Sequence, residues 1–187
     1  MLKLIIFDFF DVFRTDGYKA WLKAHNLERT GPYAEVSQLS DANKLSSEEF
    51  FARLTELSGE PVTAETMDEN TTVNTELIEL AEQIHYSYKT ALLSNSPSDF
   101  IRRIINENDI ERLFNHIFIS GETGYLKPHS EAFENVLRTM GVDASETLFI
   151  DDNPQNVAAA IELGIQGIVF TDVDQLQAEL EELNITY

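Results

Sequence analysis

Five short apolar runs recur along the chain, and four of them stop abruptly on polar residues. Lys3-Leu4-Ile5-Ile6-Phe7 ends on Asp8, Thr90-Ala91-Leu92-Leu93 on Ser94-Asn95-Ser96, Ile117-Phe118-Ile119 on Ser120-Gly121-Glu122, and Thr147-Leu148-Phe149-Ile150 on Asp151-Asp152-Asn153; Gly167–Phe170 is the fifth run. Continuous apolar runs of this length, bounded by turn residues, read as strands buried on both faces of a parallel sheet. Between them lie segments with apolar residues at helical spacing: Thr75–His85, Ser98–Asn106, Ala132–Met140, Val157–Leu163 and Val173–Leu183. Strands alternating with helices predict an α/β, doubly wound (Rossmann-like) parallel sheet joined by right-handed crossovers. In such a sheet the polar strand ends gather on the one edge where ligands bind.

The rhythm is interrupted after the first strand. Tyr18–Leu27 carries Ala20, Trp21, Ala24 and Leu27 at helical spacing, and a second helix is expected within Tyr33–Ala42. Ser46-Ser47-Glu48-Glu49 has the form of a capping box, opening a helix with Phe50, Phe51, Leu54 and Leu57 on one face that ends near Gly59-Glu60-Pro61. Thr63–Glu69 adds a turn or more, and Asn70–Asn74 is a polar break. The expected division is a core domain of residues 1–15 and 74–187 with a small helical cap at 16–73, placed after the first strand where a lid belongs.

Composition narrows the function. Thirteen basic against thirty-three acidic residues leave a net charge of −20, which argues against nucleic acid or anionic lipid as a partner. With no cysteine, thiolate metal sites and thiol nucleophiles are excluded. No stretch approaches the ~20 apolar residues of a membrane span, and no leader pattern opens the chain, so a cytoplasmic protein is expected. Nothing in the sequence sets the oligomeric state.

The predicted rim collects Asp8, Ser94, Lys127, Asp151 and Asp152. Three converging carboxylates repel one another unless a cation lies between them. Hard oxygen donors, without cysteine or a suitably spaced histidine pair, favour Mg²⁺. Ser94 and nearby amides suit phosphoryl oxygens, Lys127 adds a compact positive charge, and Asp8 is placed to attack phosphorus and form an aspartyl-phosphate.

In these residues the chain resembles the haloacid dehalogenase superfamily, and specifically its members with a small helical cap after the first strand. Ile5-Ile6-Phe7-Asp8 is similar to the first motif, Leu92-Leu93-Ser94-Asn95 to the second, and Gly124-Tyr125-Leu126-Lys127-Pro128 with Phe133 to the third. Leu148 to Val157, through Asp151-Asp152-Asn153-Pro154-Gln155-Asn156, is similar to the fourth. The resemblance implies Asp8 as nucleophile and metal ligand, with Phe10 offering its backbone carbonyl to the metal. It gives Ser94 and Asn95 to the phosphoryl group and Lys127 to charge neutralisation. Asp152 would be the direct metal ligand, with Asp151 close by or acting through water, and Asn156 either orients this loop or caps its helix. The implied reaction is Mg²⁺-dependent hydrolysis of a small phosphomonoester, a phosphorylated metabolite.

One position departs from the pattern. The family's phosphatases usually carry a second Asp two residues after the nucleophile, which protonates the leaving group and then activates water. Here Phe10 stands there, and some family members, including sugar-phosphate phosphatases, resemble this chain in lacking the second Asp. Adjacent Asp11 points to the opposite side if the chain is extended. Two other readings stay open: a catalytically impaired protein that binds a phosphorylated ligand or partner, and a haloacid dehalogenase, whose site has an aromatic at this position but a serine-containing turn in place of Asp151-Asp152. His25, His85, His116 and His129 have no metal-ligand spacing, Arg14 is placed either to meet a second anionic group or to form a surface ion pair, and Trp21, Phe50 and Phe51 read as packing residues, with the lining of a substrate pocket by a cap aromatic as the other reading.

Overall fold

The computed structural model describes residues 1–187. Five parallel strands, β1 (Leu4–Phe7), β2 (Lys89–Ser94), β3 (His116–Ile119), β4 (Thr147–Asp151) and β5 (Gln166–Val169), form one sheet in the order β3-β2-β1-β4-β5. The chain steps outward from β1 to β3, then returns to the other side of β1, so the strand order reverses at the β1–β4 boundary. That reversal is where an open α/β sheet holds its ligand. The register pairs Phe7 with Leu92 on one side and Ile150 on the other, and the ladder continues as Asp8 N–H donates to Ile150 O at 2.8 Å. Asp8 therefore leaves the sheet level with Asp151.

Four helices, α1 (Gly17–Ala24), α2 (Gly31–Asp41), α3 (Ser47–Ser58) and α4 (Ala64–Asp68), are inserted after β1, and α5 (Thr75–Ser87) returns the chain to β2. The later crossovers carry α6 (Ser98–Glu107), the single turn α7 (Ser120–Thr123), α8 (Ser130–Met140), α9 (Pro154–Glu162) and α10 (Val173–Glu182). Successive strand residues point to opposite faces. Ile5, Phe7, Leu92 and Ile150 accordingly join the core with residues of α5, α6 and α10, whereas Leu4, Ile6, Ala91 and Phe149 join Phe133, Val136 and Ala160 of α8 and α9. The helices of the insertion have a hydrophobic cluster of their own, which includes Tyr18, Trp21, Leu22, Val36, Leu54 and Met67.

Local chemistry sets the boundaries. The capping box is present, with Ser46 accepting from Glu49 N–H and the Glu49 carboxylate from Ser46 N–H, and Gly59 in the left-handed region closes α3. Helix α1 stops at Ala24, short of Leu27, because Asn26 adopts φ 53°. Helix α2 starts at Gly31, ahead of Tyr33, because Pro32 suits a helix's first turn. A Cβ on Gly17 would lie 2.7 Å from Met67 O, so glycine is what lets α1 approach α4. The two chain segments joining the insertion to the sheet pair with each other: Thr15 N–H donates to Thr72 O and Asn74 N–H to Phe13 O. Arg14 is buried there, bonded to Asp68 and Thr71 at 2.6 Å each. It forms an ion pair, and it does not line the cavity described next.

Candidate active site

A cavity of about 740 Å³ lies between the strand ends and the insertion. At its floor, Lys127 Nζ sits 2.6 Å from Asp8 Oδ1 and 2.7 Å from Asp151 Oδ2, with all three side chains almost wholly buried. Asp151 is held further by Asn153 N–H at 2.8 Å and by Asn156 Nδ2 at 3.0 and 3.2 Å. Of the two roles open for Asn156, orienting the loop is the one its contacts describe; the cap of α9 is Asn153. Asp152 faces the cavity, and Asp8, Asp151 and Asp152 each offer an oxygen within 4.8 Å of the others.

Burial, and next the charge of Asp151, push the Asp8 carboxyl up to about 8 against the pull of Lys127. For Lys127, burial works toward neutrality, but the two carboxylates outweigh it and keep the ammonium. The helix α1 adds a second cation. Lys19 Nζ lies 2.5 Å from Asp11 Oδ2 and 3.4 Å from Asp152 Oδ2. Four acidic side chains thus crowd two ammonium groups, an excess of acid that a divalent cation would relieve.

The other predicted residues are distributed unevenly. Ser94 ends β2 fully buried, and its hydroxyl has no hydrogen-bond partner. A buried hydroxyl without a partner fits an oxygen-rich ligand at this strand end. The Asn95 side chain clamps the Lys127 loop: Nδ2 donates to Lys127 O at 2.8 Å and Oδ1 accepts from Lys127 N–H at 2.9 Å. Its backbone N–H has no backbone partner. Phe10 lines the cavity, its ring stacked on Phe100 with centroids 6.3 Å apart and edge-on to Phe9. Asp11 also lines it, but its φ of 56° and its bond from Asp16 N–H fasten it into the turn after β1. No histidine lines the cavity.

Sequence reasoning missed the far wall. Arg29 reaches toward Asp16 and Asp41 at 3.5 Å each and donates to Ser37. Burial, and the neighbouring charge of Asp16, push Asp41 up to about 7 despite Arg29. The native state therefore keeps a proton that the unfolded chain releases near 3.8, so stability falls as pH rises from about 4 to 7, by at most ~1.4 kcal/mol per unit. Asp41→Asn is expected to remove that slope: relative to the parent it gains stability from pH 4 to 7 and keeps the gain above 7. Urea denaturation at pH 5, 6 and 8 measures it, and parallel pH dependences would contradict the assignment.

The parallel sheet with its acid rim at the strand reversal is a Rossmann-like architecture. The haloacid dehalogenase-like hydrolase family model matches residues 2–164, and the chain belongs to that family. Over its full length the fold matches a predicted family hydrolase from Porphyromonas gingivalis (TM-score 0.78, 21% identity, all of both chains). It also matches a family enzyme from Bacteroides thetaiotaomicron in complex with magnesium and inorganic phosphate (TM-score 0.74, 23% identity, 94% of this chain and 99% of that one). Among relatives in sequence, a D-ribitol-5-phosphate phosphatase from Bacteroides thetaiotaomicron is 26% identical over 89% of this chain and 90% of its own. The sesquiterpene phosphatase astK of Aspergillus oryzae is 34% identical over 49% of this chain, which spans 47% of that protein.

Proposed function

We propose that this protein is a Mg²⁺-dependent phosphatase of small phosphomonoesters working through an aspartyl-phosphate on Asp8. The observation that carries the reading is the buried Lys127 ammonium between Asp8 and Asp151, with Asp152 beside them at the cavity edge. Asp8 Oδ attacks phosphorus, the ester P–O bond breaks, and the alcohol leaves as an oxyanion that takes a proton from water. Water then cleaves the aspartyl-phosphate, returning the carboxylate and releasing inorganic phosphate. Asp8, Asp152 and the Phe10 carbonyl would hold Mg²⁺, with Asp151 at its side; the ion would supply the positive charge that lets a phosphate dianion approach a carboxylate. Ser94 and the Lys127 ammonium receive phosphoryl oxygens. Helices α1 to α4 act as a cap over the cavity and set the choice of substrate, a small phosphorylated metabolite. The adjacent Asp151-Asp152 speaks against dehalogenation, since two acids repel a haloacid carboxylate.

Phe10 predicts slow turnover wherever the leaving oxygen is basic. General acid–base catalysis contributes roughly 10²–10⁴-fold. Phe10→Asp is expected to raise kcat for an alkyl phosphate by about that factor, while an acyl phosphate, whose leaving group needs no proton, changes little. Steady-state release of phosphate with Mg²⁺ measures both. If neither the parent nor Phe10→Asp released phosphate or formed a phosphoenzyme, catalysis would be excluded and the binding-protein reading would stand.

A further inference from the structure

Four phenylalanines border the cavity beside Asp8 without being fully buried. Phe10 and Phe100 pack against the sheet's main core, whereas Phe50 and Phe51 pack against the cluster inside the insertion. The two pairs come from separate hydrophobic clusters, each pair in ring contact with itself, and both line the one cavity. Phenyl surface left open in this way is unfavourable in water. The polar groups around the same space are differently placed. Arg29 is engaged by Asp16, Asp41 and Ser37, Lys19 by Asp11 and Asp152, and Asn95 by the Lys127 backbone. Gln38, Ser40 and Gln155 also line the space, but the large continuous surfaces the walls offer a ligand are these four rings, and about 740 Å³ holds much more than a phosphoryl group.

We infer that the alcohol portion of the substrate carries an apolar ring system, which lies between Phe10–Phe100 on the sheet side and Phe50–Phe51 on the insertion side while its phosphate rests at Asp8 and Lys127. The inference rests on the phosphatase reading and narrows it to hydrophobic phosphomonoesters, in preference to polyol phosphates. Phe10 then has a positive role. Where another family member would carry an acid, this chain presents a face to the leaving group.

Two primary-alcohol esters of similar leaving-group basicity separate recognition from chemistry: 2-(2-naphthyl)ethyl phosphate and D-ribitol 5-phosphate. With Mg²⁺, kcat/KM is expected to favour the naphthyl ester by about tenfold or more, and Phe50→Ala and Phe100→Ala are expected to bring that ratio toward one. Phe50→Leu, which keeps the volume, guards against misfolding and should lower the ratio partway. Calorimetric binding of both esters to the Asp8→Asn protein repeats the comparison without turnover. A preference for the ribitol ester, or a ratio unmoved by all three variants, would overturn the inference. Preferential naphthyl ester binding without turnover in the parent would uphold the ring site while overturning the phosphatase reading.

Discussion

Asp8→Asn protein is expected to fold as the parent does and to release phosphate slower by about four to six orders of magnitude, the scale on which removing a covalent nucleophile acts. The fold should survive because of where the charge sits. Burial pushes the Asp8 carboxyl up to about 8, so the fold disfavours the charge there and a neutral amide at this position costs no stability. The Lys127 ammonium keeps Asp151 as its partner at 2.7 Å. Matched melting curves together with phosphate release at saturating Mg²⁺ test both halves. Equal turnover by parent and variant would remove Asp8 from the chemistry, and a collapsed melting curve would show that its role is structural.

Lys127→Met is expected to give the largest loss of stability of any single change at the site. It leaves the wholly buried Asp151 and the nearly buried Asp8 with no basic partner at the cavity floor. Breaking a buried pair by removing one member costs about 3–5 kcal/mol. For a chain of this length that corresponds to a fall in melting temperature of roughly 6–20 °C. The sign with pH follows from Asp8: without the ammonium its buried carboxyl is retained as the neutral acid, keeping that proton costs less as pH falls, and the loss should shrink toward pH 5. Adding Asp8→Asn to Lys127→Met should recover part of it. A Lys127→Met protein as stable as the parent at pH 8 would mean that the carboxylates are neutralised by something other than Lys127.

The rim was readable in the sequence because the physics there is one-dimensional. An apolar strand buried on both faces has to end where the first charge appears, and Asp8, Ser94 and Asp151 each mark such an end. The parallel order and the position of the helical insertion followed from the same alternation. What escaped depends on how distant segments approach. Lys19 is a polar residue on α1 like any other, and only the fold carries it to Asp11 and Asp152. Arg29 and Asp41 belong to an insertion whose polar positions look like solvated helix surface. Asn95 was legible as a site residue but not as the clamp on Lys127, because its partner is backbone brought in from beyond β3. Helix α7 was missed because Ser120-Gly121-Glu122 has turn chemistry, and a single helical turn closed by Gly124 leaves no periodicity to detect.

The antiparallel pairing of the segments before α1 and after α4 brings the two splice points of residues 16–73 next to each other, around Thr15 and Thr72. A foreign helical module joined there would meet the sheet through a fixed doorway, leaving Asp8, Lys127 and Asp151 untouched while replacing Phe50, Phe51 and Lys19. Chimaeras cut at this doorway would separate inheritance of selectivity from inheritance of chemistry.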